Sequence, residues 1–465
     1  MGTMDKSQIK VRIAPSPTGF LHIGTGQSAL YNWLFAKKMG GKFYLRIEDT
    51  DRERSTKEYE ESILGALRWL GLDWEGEVVR QSERMPLYRV ALEKLLSEGK
   101  AFYCHHSQEE LEAERQRQEF EKQPPRHECN HKNLPLGKEG GGIIRLNVGD
   151  SQQVISFDDQ IKGPIEFKAR LLGDFSIART VSDPLYNFAA VVDDAEMEIS
   201  HVIRGEDHIS NTPKQILVYE ALGKTPPLFA HLPLILAPDR TKLSKRHGAM
   251  AVVDYKKDYL PDAVVNFLGG LGYTFSKDIL PRDEMIQEFE LAKVHKSGAI
   301  FDVKKLNWIN SQYMKRLSPT EFKKVSGIND IPDVAVSLIT DRLERLSDAQ
   351  EFSYLWQEPV YAKELLVWRT SSFDDVKKSL SRVLPLIEKL SELTDVSLRN
   401  ELEVLSVDIG NLSADKAGKG LVFWPLRVAL SGREKSPDPV QLAVVLGKNK
   451  VIERVKEAIN KTNVN

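Results

Sequence analysis

The chain has 465 residues, 41% hydrophobic and 28% charged, with a formal net charge of −2 at pH 7. Such a length calls for several domains, and the near-neutral charge excludes a global basic field for nucleic acid while allowing a local basic stripe. No apolar run approaches a membrane span and the first ten residues lack a signal-peptide core, so a cytoplasmic protein with no membrane partner is expected.

Val11 and Ile13 read as a short apolar strand. A loop punctuated by Pro15, Pro17 and Gly19 follows, then a helix in which Leu30, Trp33 and Leu34 recur at helical spacing until Gly40-Gly41. A strand, turn and helix start of this kind aims unpaired backbone N–H groups and a positive dipole end outward, so an anionic phosphate can sit there. In His22-Ile23-Gly24-Thr25, His22 can donate to a phosphate oxygen and Gly24 lets a ligand approach the backbone. Taken alone, the motif is equally well an ordinary βα turn with a surface histidine. A strand over Lys42–Ile47 and a helix over 57–70 come next; Tyr59, Ile63, Leu67 and Leu70 share a face that Gly71 ends.

The two cysteines are each followed two residues later by a histidine, in Cys104-His105-His106 and Cys129-Asn130-His131. Two cysteines cannot staple a chain of this size, but Cys104, His106, Cys129 and His131 make a possible tetrahedral Cys₂His₂ site for structural Zn²⁺. The intervening segment reads as a helical excursion ending near Pro124-Pro125, and such an excursion gains from a metal staple. The competing reading is incidental histidines, His105 and His127 included, beside buried cysteines. Segments 143–148 and 153–157 alternate as sheet strands do, around a Gly149-Asp150-Ser151 turn, and another strand is expected over 198–203.

Lys242, Lys245 and Arg246 stand within five residues beside Ser244, between Pro238-Asp239 and Gly248, which reads as a mobile loop. Cations on a loop are usually a solvated face, yet ATP chemistry wants movable positive charge over the phosphates. From there the pattern turns helical, over 262–271, then over 304–311 with Leu306, Trp308 and Ile309. A helix over 376–393 follows, with Leu380, Val383, Leu384, Ile387 and Leu390 on one buried face.

His22-Ile23-Gly24-Thr25 and Lys242-Leu243-Ser244-Lys245-Arg246 are similar to the two signatures of the class I aminoacyl-tRNA synthetases. Arg12 to Pro17, Arg46 to Asp51, Arg80 to Arg84, Asn187 to Asp194 and Val202 to His208 resemble, in order, blocks of the glutamyl family of bacterial type. The resemblance implies an α/β fold: a Rossmann-like nucleotide-binding domain, an inserted α+β acceptor-binding domain and an all-helical C-terminal anticodon-binding region. The expected segments are 1–102 and 187–250 for the catalytic halves, 103–186 for the insertion, 251–320 for a stem-contact domain and 321–465 for the helical region. The helical half argues against glutaminyl enzymes, which carry β-barrels there, and against the shortened paralogue that lacks it.

The resemblance further implies that L-glutamate and ATP with Mg²⁺ form glutamyl-adenylate, and that the 3′ end of tRNA-Glu then takes the glutamyl group. It places Arg12 and Arg204 at the substrate carboxylates, where a guanidinium fork can tell glutamate from glutamine. Ala14, Ser16, Glu48, Tyr186 and Asn187 fall at the remaining amino-acid positions, Glu48 suited to the α-ammonium and otherwise an ion-pair partner of Arg46. His22, Gly24, Lys242, Ser244 and Lys245 fall at the ATP. Some relatives carry zinc through Cys-x-Cys and Cys-x-His, so His106 stands for a family cysteine. Arg342 falls near an arginine that reads the third anticodon base; the alternative is a helix-surface arginine beside Asp341 and Glu344. A monomer that charges tRNA-Glu is expected. Charging of tRNA-Gln as well, a nucleotidylyltransferase for small molecules, and a catalytically silent tRNA-binding relative remain the competing readings.

Overall fold

The computed structural model describes residues 9–123, 126–127, 129–133, 142–149, 152–243, 251–412 and 418–463. The chain forms two units, one of residues 1–256 and 261–309, the other of 257–260 and 310–465.

The first unit begins with β1 (Lys10–Ile13), α1 (Ile23–Met39), β2 (Lys42–Ile47), α2 (Lys57–Trp69), β3 (Val79–Arg80) and α3 (Met85–Ser97). The three strands form a parallel sheet in the order β1-β2-β3. Gly40, in the left-handed region at φ 67°, ends α1. Expectation gave α1 one apolar face through Leu30, Trp33 and Leu34; instead Gly26, Gln27, Tyr31 and Asn32 are buried as well. The reason is that α1 is packed on several sides: Tyr31 Oη donates to the Gly269 and Leu271 carbonyls, and Asn32 Nδ2 to that of Ile203.

The middle of this unit contains β4 (Ala101–Cys104), α4 (Gln108–Phe120), β5 (Ile143–Leu146), β6 (Val154–Asp159), β7 (Gly163–Lys168), β8 (Ser176–Thr180) and β9 (Asp183–Pro184). Four of these strands make an antiparallel sheet in the order β4-β5-β8-β9, and β6 and β7 form a separate hairpin. The alternating segments around Gly149 are therefore strands of different sheets.

After α5 (Tyr186–Glu196) come β10 (His201–Gly205), α6 (Thr212–Leu222) and β11 (Leu228–Leu232), with β10 and β11 parallel. The strand expected from 198 starts at His201, because the end of α5 takes up the preceding residues: Glu198 is left-handed at φ 55° and Ile199 N–H bonds the Asp194 carbonyl. Ser200 then ties β10 to β1 through its backbone N–H to the Lys10 carbonyl at 2.9 Å. The two βαβ halves thus meet at β1 and β10, a topological switch point whose strand ends open a ligand crevice. Helices Pro261–Gly270 and Val303–Met314 follow; Leu306 and Ile309 are buried, but Trp308 is 44% exposed.

The second unit is helical, with Pro319–Ser326, Asp333–Thr340, Phe373–Lys389, Asp395–Leu412, Gly418–Ser431, Pro439–Leu446 and Lys448–Thr462. In Phe373–Lys389, Val376, Leu380, Val383 and Ile387 form the buried face. The helix stops short of the expected Leu393 because Leu390 turns extended and Lys448 Nζ caps the Glu388 and Leu390 carbonyls at 2.8 and 2.6 Å. No described helix is long and apolar enough to cross a membrane.

Candidate active site

A cavity of about 1710 Å³ opens where β1 and β10 end, larger than the roughly 300–1,000 Å³ of a typical small-ligand pocket. Arg12, Ala14, Ser16, His22, Gly24, Glu48, Tyr186, Arg204 and Lys242 all line it. Residues as far as 230 positions apart thus share one wall. Asn187 is not on that wall; its amide oxygen accepts from Gln215 at 3.2 Å.

His22 is the N-cap residue of α1, exposed and extended, and no side chain among the described residues caps the helix. The first-turn N–H groups therefore face the cavity side without a side-chain acceptor among the described residues, as anion binding requires. A Cβ on Gly24 would meet nothing within 4 Å, so the space above this backbone is open. Gly26 is the tighter position, where a Cβ would lie 3.1 Å from Val252.

The second signature starts on this wall, and the chain described after it resumes beside His22. Leu243 N–H bonds the Ile235 carbonyl at 3.0 Å, while Ala251 bridges His22 and Val252 N–H bonds the Leu21 carbonyl at 2.8 Å. Lys242 Nζ donates to Asp207 Oδ2 at 3.1 Å. Ser244, Lys245 and Arg246 lie outside the described residues.

Beneath the cavity lies a buried charge network of which the sequence reading named only the Arg46–Glu48 pair. Arg12 Nε and Nη2 donate to the two oxygens of Asp194 at 3.1 and 3.3 Å. Arg46, fully buried, donates to Asp194 at 2.6 Å and to Glu48 at 3.2 Å, with Asp193 at 3.6 Å from its Nε. Asp193 also takes Gln81, Arg84 and Tyr88. Burial opposes the Arg46 charge, but Asp194, Glu48 and Asp193 outweigh it and hold the guanidinium above its ordinary value. Burial likewise pushes the Glu48 carboxyl up, against Arg46 and Arg12. The signal available was Asp193-Asp194, two carboxylates closing an otherwise apolar helical run.

Arg204 differs from both. It is 7% exposed and donates to Thr212 Oγ1 at 2.7 Å and His231 Nε2 at 3.3 Å, with no carboxylate partner among the described residues. Burial, with the like charge of Arg12, holds it below the ordinary guanidinium value. Among the described residues the site therefore holds one buried cation with no carboxylate beside it. Nearby, His208 Nδ1 lies 3.2 Å from Tyr186 Oη, and burial pushes its imidazole down to about 4.

Away from the cavity, Cys104, His106, Cys129 and His131 present ligand atoms within 4.8 Å of one another. His106 Nδ1 is 3.4 Å from Cys104 Sγ and 3.6 Å from Cys129 Sγ, close to the roughly 3.3–3.8 Å edges of a tetrahedral zinc site. His127, read only as part of a histidine-rich stretch, lies 3.5 Å from Cys104 Sγ and is braced by Glu114 at 2.5 Å. In the second unit Arg342 is exposed and bonds the Leu338 carbonyl at 2.9 Å and Gln441 at 3.2 Å.

Residues 8–308 match the family model for the catalytic domain of class I tRNA synthetases (E and Q), and residues 291–459 match an anticodon binding domain. Glutamate–tRNA ligases from Thermodesulfovibrio yellowstonii and Trichlorobacter lovleyi are each 40% identical, over 97% of this chain and 99% and 98% of theirs. The chain belongs to the glutamate–tRNA ligase family. A glutamate tRNA ligase from Elizabethkingia meningosepticum, solved in complex with its amino acid, is similar at a TM-score of 0.84 and 31% identity, covering 98% of this chain and 99% of that one. The family's class I catalytic domain and helical anticodon-binding domain are thus both present, and ATP with Mg²⁺ is the energy source such synthetases use.

Proposed function

We propose that the protein ligates L-glutamate to the 3′ end of tRNA-Glu through glutamyl-adenylate. The observation that carries the glutamate assignment is Arg204, a buried guanidinium with no carboxylate partner among the described residues. The glutamate γ-carboxylate would take Arg204 and the α-carboxylate the outer face of Arg12, with Glu48 receiving the α-ammonium. An ammonium beside Glu48 favours its ionised form against the burial that now raises it. Ala14, Ser16 and Tyr186 would complete the wall, and Asn187 would join it only by exchanging Gln215 for the ligand.

Mg-ATP would lie along the N-terminus of α1, on the backbone around Gly24 and under His22, with Lys242, Ser244 and Lys245 closing over the phosphates. An α-carboxylate oxygen attacks the α-phosphorus, the bond to pyrophosphate breaks, and glutamyl-adenylate remains. A tRNA terminal hydroxyl then attacks the carbonyl carbon, AMP leaves, and the hydroxyl proton passes to its phosphate or to water. Orientation and charge neutralisation supply most of the rate, and no side chain forms a covalent intermediate. Lys242 must leave Asp207 before it can reach a phosphate.

The antiparallel sheet of β4, β5, β8 and β9 would grip the acceptor end and the helical unit the anticodon, where Arg342 would exchange Gln441 for a base edge or phosphate. Cys104, His106, Cys129 and His131 would hold a structural Zn²⁺; burial pushes the unmetallated Cys129 thiol up to about 11, and a metal would supply the charge that removes its proton. The protein would act as a cytoplasmic monomer. The test is glutamylation of separately purified tRNA-Glu and tRNA-Gln, with zinc content measured on the same preparations. Charging of tRNA-Glu supports the reading, charging of both shifts it to a non-discriminating enzyme, and charging of neither overturns it. One equivalent of zinc lost on Cys104→Ser supports the metal site; metal-free protein overturns it.

A further inference from the structure

Arg204 reaches the cavity from β10, but the groups that hold its guanidinium do not line the cavity. Its register partner on β11 is His231, so the two side chains leave the same face of neighbouring parallel strands. Nε of Arg204 donates to His231 Nε2 at 3.3 Å, and Thr212 Oγ1, which accepts from Arg204 Nη2 at 2.7 Å, stands 3.0 Å from that same ring nitrogen. Behind the ring, His231 Nδ1 lies 2.6 Å from Asp159 Oδ2, and the His231 backbone N–H donates to the same oxygen at 3.1 Å. Asp159 is the last residue of β6, and its Oδ1 accepts from the backbone N–H groups of Ile161 and Lys162 at 3.0 and 2.8 Å. Asp159 is 2% exposed, and His231 and Thr212 are fully buried.

The protonation of this chain of groups follows from their donor and acceptor capacities. An ionised carboxylate only accepts, so the ring proton sits on Nδ1 and the lone pair on Nε2 faces Arg204. Burial and the nearby Arg204 charge favour the neutral ring, whose Nε2 can accept; a proton there would confront a guanidinium.

We propose that Asp159 and His231 are positioning residues for the amino-acid substrate, fixing the imidazole tautomer and thereby aiming Arg204 at the substrate carboxylate. The proposal rests on the reading of Arg204 as a carboxylate ligand. It makes the β6–β7 hairpin a supporting part of the glutamate pocket, although the hairpin gives no atom to its wall. Asp159→Asn breaks the device with little change in shape, because one amide cannot accept from the imidazole on one side and from Ile161 and Lys162 on the other.

The experiment is aminoacylation of tRNA-Glu by the full-length enzyme, reading KM for glutamate and for ATP separately. Asp159→Asn is expected to raise the glutamate KM about tenfold, the worth of one well-placed charged hydrogen bond, and to leave the ATP KM within about twofold. His231→Gln, whose amide oxygen can stand where Nε2 was, is expected to stay within about threefold of the parent. In an Arg204→Ala background, Asp159→Asn should add nothing further to the glutamate KM. Equal rises in both KM values, or additive effects in the double variant, would show a merely structural role and overturn the proposal. An unchanged glutamate KM in Asp159→Asn, with a raised one in Arg204→Ala, overturns it while leaving the carboxylate reading standing. An unchanged glutamate KM in Arg204→Ala removes that reading and the proposal together.

Discussion

The two units handle buried charge in opposite ways. Around the cavity of the first, Arg12, Arg46, Glu48, Asp193 and Asp194 are buried and satisfy one another side chain to side chain, as do Asp159 and His231, while Arg204 is buried with no carboxylate partner among the described residues. In the second, Arg454 is the one buried charged residue among those described; its nitrogens bond the Leu430 and Gln357 carbonyls at 2.6 and 2.9 Å, and its Nε lies 3.3 Å from the exposed carboxylate of Glu358. Burying charge is costly unless every group is paired, so a whole network of it marks a place where charge has work to do. A single arginine bonded to carbonyls is a clamp on the backbone.

The largest expected effect breaks that contrast directly. Arg46→Ala leaves Asp193, Asp194 and Glu48 without their shared cation, and a loss of roughly 3–5 kcal/mol of stability in chemical denaturation is expected. Arg454→Ala strands two carbonyls and a Glu358 carboxylate that water can still reach, and should cost about 1–3 kcal/mol. Equal losses would remove the distinction between network and clamp.

Acid sharpens it further. Burial holds His201, 6% exposed at the start of β10, down from 6.5 to about 4. Between those values the unfolded chain binds a proton that the folded one refuses, so stability falls as pH drops from about 6.5 towards 4, by up to about 3 kcal/mol. Melting temperatures measured from pH 7 to 5 should decline less steeply in His201→Gln. An unchanged slope would mean that other groups carry the acid sensitivity.

The smallest effect lies in the second unit. Lys448→Ala removes a cap from the Glu388 and Leu390 carbonyls and should cost about 0.3–1 kcal/mol, read as a small drop in the denaturant midpoint. A loss as large as that of Arg46→Ala would refute the view that this unit is held by its apolar faces.

Local periodicity made much of this architecture legible. Lys42–Ile47 is a strand with the expected bounds, and the helix expected over 57–70 spans Lys57–Trp69, with Thr56 capping it. Where expectation slipped, a tertiary or capping interaction decided the matter. Glu198 belongs to the turn that ends α5, and Lys448, sixty residues away, ends the helix expected to reach Leu393. The cavity wall could be named from motifs because Arg12, Glu48 and Arg204 lie within blocks that resemble a known family, and Tyr186 directly precedes one. Its supports were harder to name: Asp194 acts through a partner 182 positions away and is marked locally only by the Asp193-Asp194 pair, and the Asp159–His231 pair, 72 positions apart, leaves no local pattern.

The central claim is that an unpaired buried guanidinium selects the substrate. The direct measurement is kcat/KM for glutamate against glutamine on tRNA-Glu, in the parent enzyme and in Arg204→Ala. The account predicts a strong preference for glutamate that falls by about a hundredfold in the variant, as expected when a charge-paired contact is lost. A preference that survives Arg204→Ala intact would contradict it.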